Sequence, residues 1–181
     1  MKQRRRSNVA AGQFETEWFG AMAALSIAIT LAMRIALVLL FFPFSALDKI
    51  LNFHGALSQA GEAVPNRTAA AMLVFAGLFV EIVMSLGILT GIADRLCAFI
   101  LAGYCGVTAL LWKQFWKPGD FWASASGKGR TLFWDFWKNF ALGAGFLLIT
   151  FGTDASSVKH FLAHPTWSSD PYGVAQQQAQ P

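Results

Sequence analysis

The sequence predicts an all-α integral membrane protein, a four-helix bundle. Three observations predict it. Of the 181 residues 55% are apolar, and the mean hydropathy is +0.47. Several apolar runs approach or exceed the roughly 20 residues that carry a helix across a bilayer. Charged residues fall mainly between these runs, with Arg34 and Glu81 standing inside them. This combination suits one small polytopic bundle rather than a soluble domain.

The elements follow in chain order. Residues 1–19 form a basic segment in which Lys2, Arg4, Arg5 and Arg6 read as a cytoplasmic anchor beside anionic lipid. The rival reading is a cleaved signal peptide. It is disfavoured because Glu15 and Glu17 interrupt the approach, the apolar run is longer than a signal's hydrophobic region, and no small-residue cleavage site precedes a polar start. The first span is expected over residues 20–47, a polar connector over 48–68, and the second span over 69–89. The third runs over 96–112. The fourth runs from about 131 to 151, with Asp135, Lys138 and Asn139 making its outer part polar. Residues 20–152 thus make the transmembrane domain, and 153–181 a polar tail expected to be partly disordered, above all from 167 onward.

Orientation rests on the dense first cluster. With both termini inside, six basic residues lie inside (Lys2, Arg4, Arg5, Arg6, Arg95, Lys159) and seven outside (Lys49, Arg67, Lys113, Lys117, Lys128, Arg130, Lys138). That count is nearly even. The cluster ahead of the first helix decides it, giving cytoplasmic termini, with Lys49 and Arg95 as topology anchors.

A carboxylate at mid-bilayer costs about 2.5–3.5 kcal/mol on insertion scales, so Glu81 needs a partner, a proton or a water-lined cavity. Counting depth from the end shared by the first two spans puts Arg34 and Glu81 both about 18–20 Å in. The two are expected to pair. Ser26, Thr30 and Arg34 share one helical face, as do Gly77, Glu81 and Ser85, and small or hydroxyl-bearing stripes suit helix contact in lipid. The pair serves either to fix helix register or as a site for substrate, quinone or protons.

Several chemistries find no support. Cys97 and Cys105, the only cysteines, lie eight residues apart on one helix, about 12 Å, too far for a disulfide. They read as packing thiols. His54, His160 and His164 make no metal set, since the i+4 pair lacks a third ligand and runs into Pro165. No histidine lies in a span to hold haem, and there is no phosphate-binding loop, dinucleotide fingerprint or nucleophile elbow. The net charge of +4 and pI near 9.3 reflect flanking basic residues rather than nucleic-acid binding. Between the third and fourth spans, Trp112, Phe115, Trp116, Phe121, Trp122, Phe133, Trp134, Phe136 and Trp137 alternate with Lys113, Lys117, Lys128, Arg130 and Lys138. They form either an interfacial aromatic belt or a platform for a quinone headgroup or docking partner.

Within this frame, Glu81-Ile-Val-Met-Ser-Leu-Gly87-Ile-Leu-Thr-Gly91-Ile-Ala-Asp-Arg95 resembles the DoxX family of small four-helix bacterial membrane proteins. Arg34 followed by its aliphatic run to Asp48-Lys49 resembles the family's first-helix pattern. Lys138-Asn139-Phe-Ala-Leu-Gly143-Ala-Gly145 resembles its last-helix signature. Gly87, Gly91, Gly143 and Gly145 read as helix-packing residues. The resemblance implies a bacterial inner-membrane protein linked to quinone-coupled redox complexes. It would be an accessory or quinone-interacting subunit with no metal and no covalent cofactor, a quinone being the cofactor expected. Arg34, Glu81, Tyr104, Lys138 and Asn139 are the polar-centre candidates. Partners implied are membrane lipid, a redox protein and, as an option, a second copy. A structural assembly subunit and, less favoured, a small proton-linked transporter are the alternatives.

Overall fold

A computed structural model describes the backbone of residues 2–123 and 126–173 and the side chains of residues 18–123 and 126–173. The basic cluster of residues 2–6, Glu15, Glu17 and tail residues 174–181 therefore lie outside the described side chains. Helix is the only regular secondary structure among the described residues, which contain no strand. Helix α1 covers Lys2–Val38, α2 Ala46–Leu51, α3 Phe53–Ala63, α4 Arg67–Phe79, α5 Ser85–Thr90, α6 Asp94–Trp112, α7 Lys128–Phe151 and α8 Ala155–Ala163.

Three helical stretches are long and apolar enough to cross a membrane: Trp18–Leu51, Arg67–Thr90 and Asp94–Trp112. Helix α7 joins α8 across an 81° bend, and this pair supplies a fourth candidate. The protein is thus a multi-pass, all-α membrane protein. Its exterior carries the side chains lipid requires, among them Leu25, Ile29, Phe75, Phe79, Val107 and Leu148. Between the spans a compact core gathers Val38, Phe41, Ile88, Cys97, Ala98, Leu101, Cys105 and Phe146. The two cysteines are buried and free, as packing thiols should be.

The first two long spans each have one irregularity. In the first, Pro43 lacks the N–H that a helix would use, and Phe42 is extended (φ −126°, ψ 118°), so α1 and α2 meet at a kink. In the second, Val80–Met84 forms a π-helical turn between α4 and α5, and Glu81 stands on it. One extra residue in such a turn rotates the following side chains relative to a continuous α-helix.

The expected polar connector is instead mostly helical. Helix α2 carries the first span on to Leu51, and α3 then folds back along α4. Apolar residues at helical spacing in α3 (Phe53, Ala56, Leu57, Ala60) meet Ala70, Leu73, Val74 and Leu78. Asn66 starts α4 by accepting from the Thr68 and Ala69 amides at 2.9 and 3.2 Å. The Trp112 indole donates to the Gln59 carbonyl at 2.8 Å and ties α3 to the end of α6. At the start of α7, whose N-cap is Gly127, Asp120 reaches in from the preceding loop and accepts from the Lys128 and Gly129 amides at 2.8 Å each.

The glycines divide by role. Gly87 lets α5 approach α6: a Cβ there would meet Cys97 Sγ and, at 3.1 Å, the Ile92 carbonyl. Gly143 faces Ala102 and Cys105 of α6, whereas Gly145 faces Leu37 of α1. Gly91 is not part of a packing ridge, contrary to expectation. It ends α5 in the left-handed conformation (φ +78°), with Pro171 where a side chain would go.

Replacing Gly91 with Ala should therefore destabilise the protein by about 1–2 kcal/mol from backbone strain alone. Thermal unfolding in detergent would show a lower midpoint, whereas Gly103→Ala, with open space around its Cβ, should leave it nearly unchanged.

Candidate functional site

Arg34 and Glu81 do not meet. Arg34 Nη1 donates to the Ile88 carbonyl at 2.6 Å, about two helical turns beyond Glu81 on the second span. The depth comparison assumed that the first helix ends near residue 47. Because helical structure continues to Leu51 and doubles back through α3, the two spans are offset from that register. Two separate ion pairs result, at two levels of the bundle.

In the first, Arg34 Nη2 and Asp94 Oδ2 lie 2.6 Å apart, with side chains 7% and 0% exposed. Asp94 was not among the site residues expected from the sequence. It is the first residue of α6, where a carboxylate complements the helix dipole, while Arg34 occupies the C-terminal end of α5 and bonds one of its last carbonyls. The guanidinium thus answers two negative poles at once.

The tail completes this pair, where disorder was expected from residue 167 onward. The Ser169 amide donates to Asp94 Oδ1 at 2.8 Å, and its hydroxyl donates to Asp94 Oδ2 at 2.5 Å. Arg34 also donates to the Ser169 hydroxyl at 3.0 Å. Tyr172 donates to the Leu89 carbonyl at 2.6 Å. Nearby, Arg95 acts less as a free anchor than as a bridge: its Nη1 donates to the Ser157 carbonyl at 3.4 Å, and its own carbonyl accepts from Thr150. His160 and His164 pack with Trp167, His164 stacking on the indole at 4.2 Å.

The second pair joins Lys49 Nζ to Glu81 Oε1 at 2.7 Å. Lys49, expected as a topology anchor, is the counter-ion that Glu81 requires. Ser45, one turn before Lys49 on the same face, accepts from Nζ at 2.6 Å and donates to Glu81 Oε1 at 3.0 Å. From α6 the Tyr104 hydroxyl donates to the same oxygen at 2.7 Å. Gly77 makes that contact possible, since a Cβ there would lie 3.2 Å from the Tyr104 hydroxyl. Ser45 escaped sequence reasoning, although its i+4 spacing to Lys49 at the polar end of an apolar run was a usable signal.

Glu81, Lys49, Ser45 and Tyr104 line a cavity of about 700 Å³. One side is formed by α2, α3 and α4, and the other by α6 and α7. Its walls are largely apolar, with Phe41, Leu73, Val74, Val80 and Leu142 among them. Lys138 and Asn139 also line it, together with Lys113 and Asp135. Lys113 and Lys138 flank Asp135 at 3.3 and 3.7 Å, and Asn139 donates to the Asp135 carbonyl at 2.9 Å. The cavity has the size of a small-molecule site, with apolar wall area interrupted by polar side chains around Glu81 and around Asp135. Of the five sequence candidates, Glu81, Tyr104, Lys138 and Asn139 share it, and Arg34 does not. Among the described residues no cluster of metal-ligating side chains occurs.

The aromatic segment packs around Phe115, which meets Trp116, Phe133 and Phe136 edge to face and Phe121 at a tilt. Trp116, Trp122, Trp134 and Trp137 remain exposed.

Among protein families, the model described as DoxX matches residues 29–114. No curated protein and no solved structure matches the chain.

Asp94→Ala leaves Arg34 buried without its counter-charge, a change worth about 3–5 kcal/mol. The variant should fail to accumulate in membranes, read by quantitative immunoblot. Ser169→Ala removes only the bridging hydroxyl and should lower the unfolding midpoint while the protein still accumulates.

Proposed function

We propose that this protein, a multi-pass membrane protein with a DoxX domain over residues 29–114, is a quinone-interacting accessory subunit of an oxidoreductase complex in the bacterial inner membrane, its termini cytoplasmic. The carrying observation is the apolar cavity of about 700 Å³ built around a buried carboxylate. A quinone ring is flat, lipophilic and hydrogen-bonds at its oxygens. Apolar walls with a polar cluster at one end suit it. The Lys49–Glu81–Tyr104 cluster supplies the polar end, and Lys138 and Asn139 supply donors at the rim.

The chain's own residues bind, orient and shield. Lys49 and Tyr104 hold the carboxylate in place, Phe41 and Leu142 wall off water, and α3 covers the cavity along α4. Electron transfer needs a redox group, which this reading assigns to a protein partner. The exposed tryptophans beside Lys117, Lys128 and Arg130 would seat the subunit at headgroup level or against that partner.

The two ion pairs favour a division of roles. Arg34–Asp94 is enclosed by the tail, does not line the cavity and serves packing. Lys49–Glu81 lines the cavity and serves the ligand. The purely structural reading would instead make both pairs equally necessary for accumulation.

Gentle purification from native membranes, with mass spectrometry of co-purifying proteins and extracted quinones, tests the proposal. The expected result is bound quinone and a reproducible partner carrying flavin, haem or a dithiol. Recovery of the chain alone and quinone-free would overturn it. Glu81→Gln should retain at least about half the wild-type abundance but lose most of its co-purifying quinone, because Lys49 and Tyr104 are then no longer held at the polar end by hydrogen bonds to a charged acceptor, each worth about 1.5–3 kcal/mol.

A further inference from the structure

The two oxygens of Glu81 differ in their surroundings. Oε1 accepts from Ser45, Lys49 and Tyr104. Oε2 is buried and has no partner among the described residues, although Glu81, 1% exposed, lines the cavity. An ionised carboxylate oxygen can only accept. A molecule that completes this group must therefore bring a hydrogen-bond donor.

Its charge is also constrained. Lys49 Nζ, 2.7 Å from Oε1, already compensates the carboxylate. A cationic ligand would leave an excess positive charge among Phe41, Leu73, Val74 and Val80, where it would be poorly solvated. The donor that fits is neutral. A lipophilic molecule carrying a hydroxyl meets both conditions.

We infer that the cavity selects a neutral lipophilic ligand that presents a hydroxyl to Glu81 Oε2. Resting on the quinone reading above, this means that the reduced quinol binds more tightly than the oxidised quinone. A quinone carbonyl facing Oε2 places two acceptors together. The donors it would need at this end are already turned to the Ser45–Glu81 cluster: the Ser45 and Tyr104 hydroxyls to Oε1, and two of the three Lys49 N–H groups to Oε1 and Ser45 Oγ. The third Lys49 N–H makes the preference finite rather than absolute. A membrane lipid with a free hydroxyl, such as diacylglycerol, shares the same chemistry.

The test uses the full chain in nanodiscs and measures equilibrium binding of decylubiquinol, decylubiquinone and dioleoylglycerol under anaerobic conditions. Decylubiquinol should bind about tenfold more tightly than decylubiquinone, the size expected of one hydrogen bond to a charged acceptor. Glu81→Gln should bring the two forms within about twofold, because the amide both donates and accepts. Ser169→Ala, at the ion pair that does not line the cavity, should keep the quinol preference. If Glu81→Gln fails to fold, the wild-type ratio carries the test. Equal affinities, or tighter binding of the quinone, overturn the hydroxyl inference and leave the quinone site standing. Tighter binding of dioleoylglycerol than of either quinone form supports hydroxyl selection while overturning the quinone reading. Absence of binding by all three overturns both.

Discussion

The architecture around the cavity depends on pairing one buried carboxylate inside a largely apolar wall. Glu81 has essentially no contact with solvent, and lipid offers it no compensation. Lys49 reaches it because the first span continues past its kink into α2, which brings Ser45 and Lys49 round on one face. The π-helical turn places Glu81 between these residues and Tyr104. Three helical stretches thus converge on a single oxygen, so none can slide against the others without exposing a charge to apolar surroundings.

The second ion pair solves a different problem. A sharp reversal between α5 and α6 brings a helix C-terminus and a helix N-terminus together, and the poles need opposite compensation. Arg34 and Asp94 supply it from separate elements. The tail then covers the pair through Ser169 and Tyr172. One end of the bundle is closed by polar contacts, while the Lys49–Glu81 end borders a cavity large enough for a ring system.

Much of this was legible in residue order. Apolar run lengths gave the all-helical membrane class, and the isolated charges marked the two polar centres. The partner assignment failed for a physical reason: the first apolar helical stretch, Trp18–Leu51, has 34 residues, well beyond what a bilayer fixes, so hydropathy left its depth free. A count from one assumed end then placed Arg34 beside the wrong carboxylate. Helix α3 was missed because His54, Ser58, Gln59 and Glu62 mask its apolar face, which shows only in the spacing of Phe53, Ala56, Leu57 and Ala60. The folding of Ser169 and Tyr172 onto the bundle depends on non-local contacts 75 and 83 residues away in the chain, which no local pattern encodes.

Gly77 gives the cavity a further property. With Tyr104's phenolic oxygen only 3.2 Å from where a methyl group would stand, the bulk tolerated at position 77 and the reach of the side chain at position 104 are one shared volume. In related sequences these two positions should therefore covary, a larger residue at the first accompanying a shorter one at the second, and Glu81 would then recruit its third donor from elsewhere.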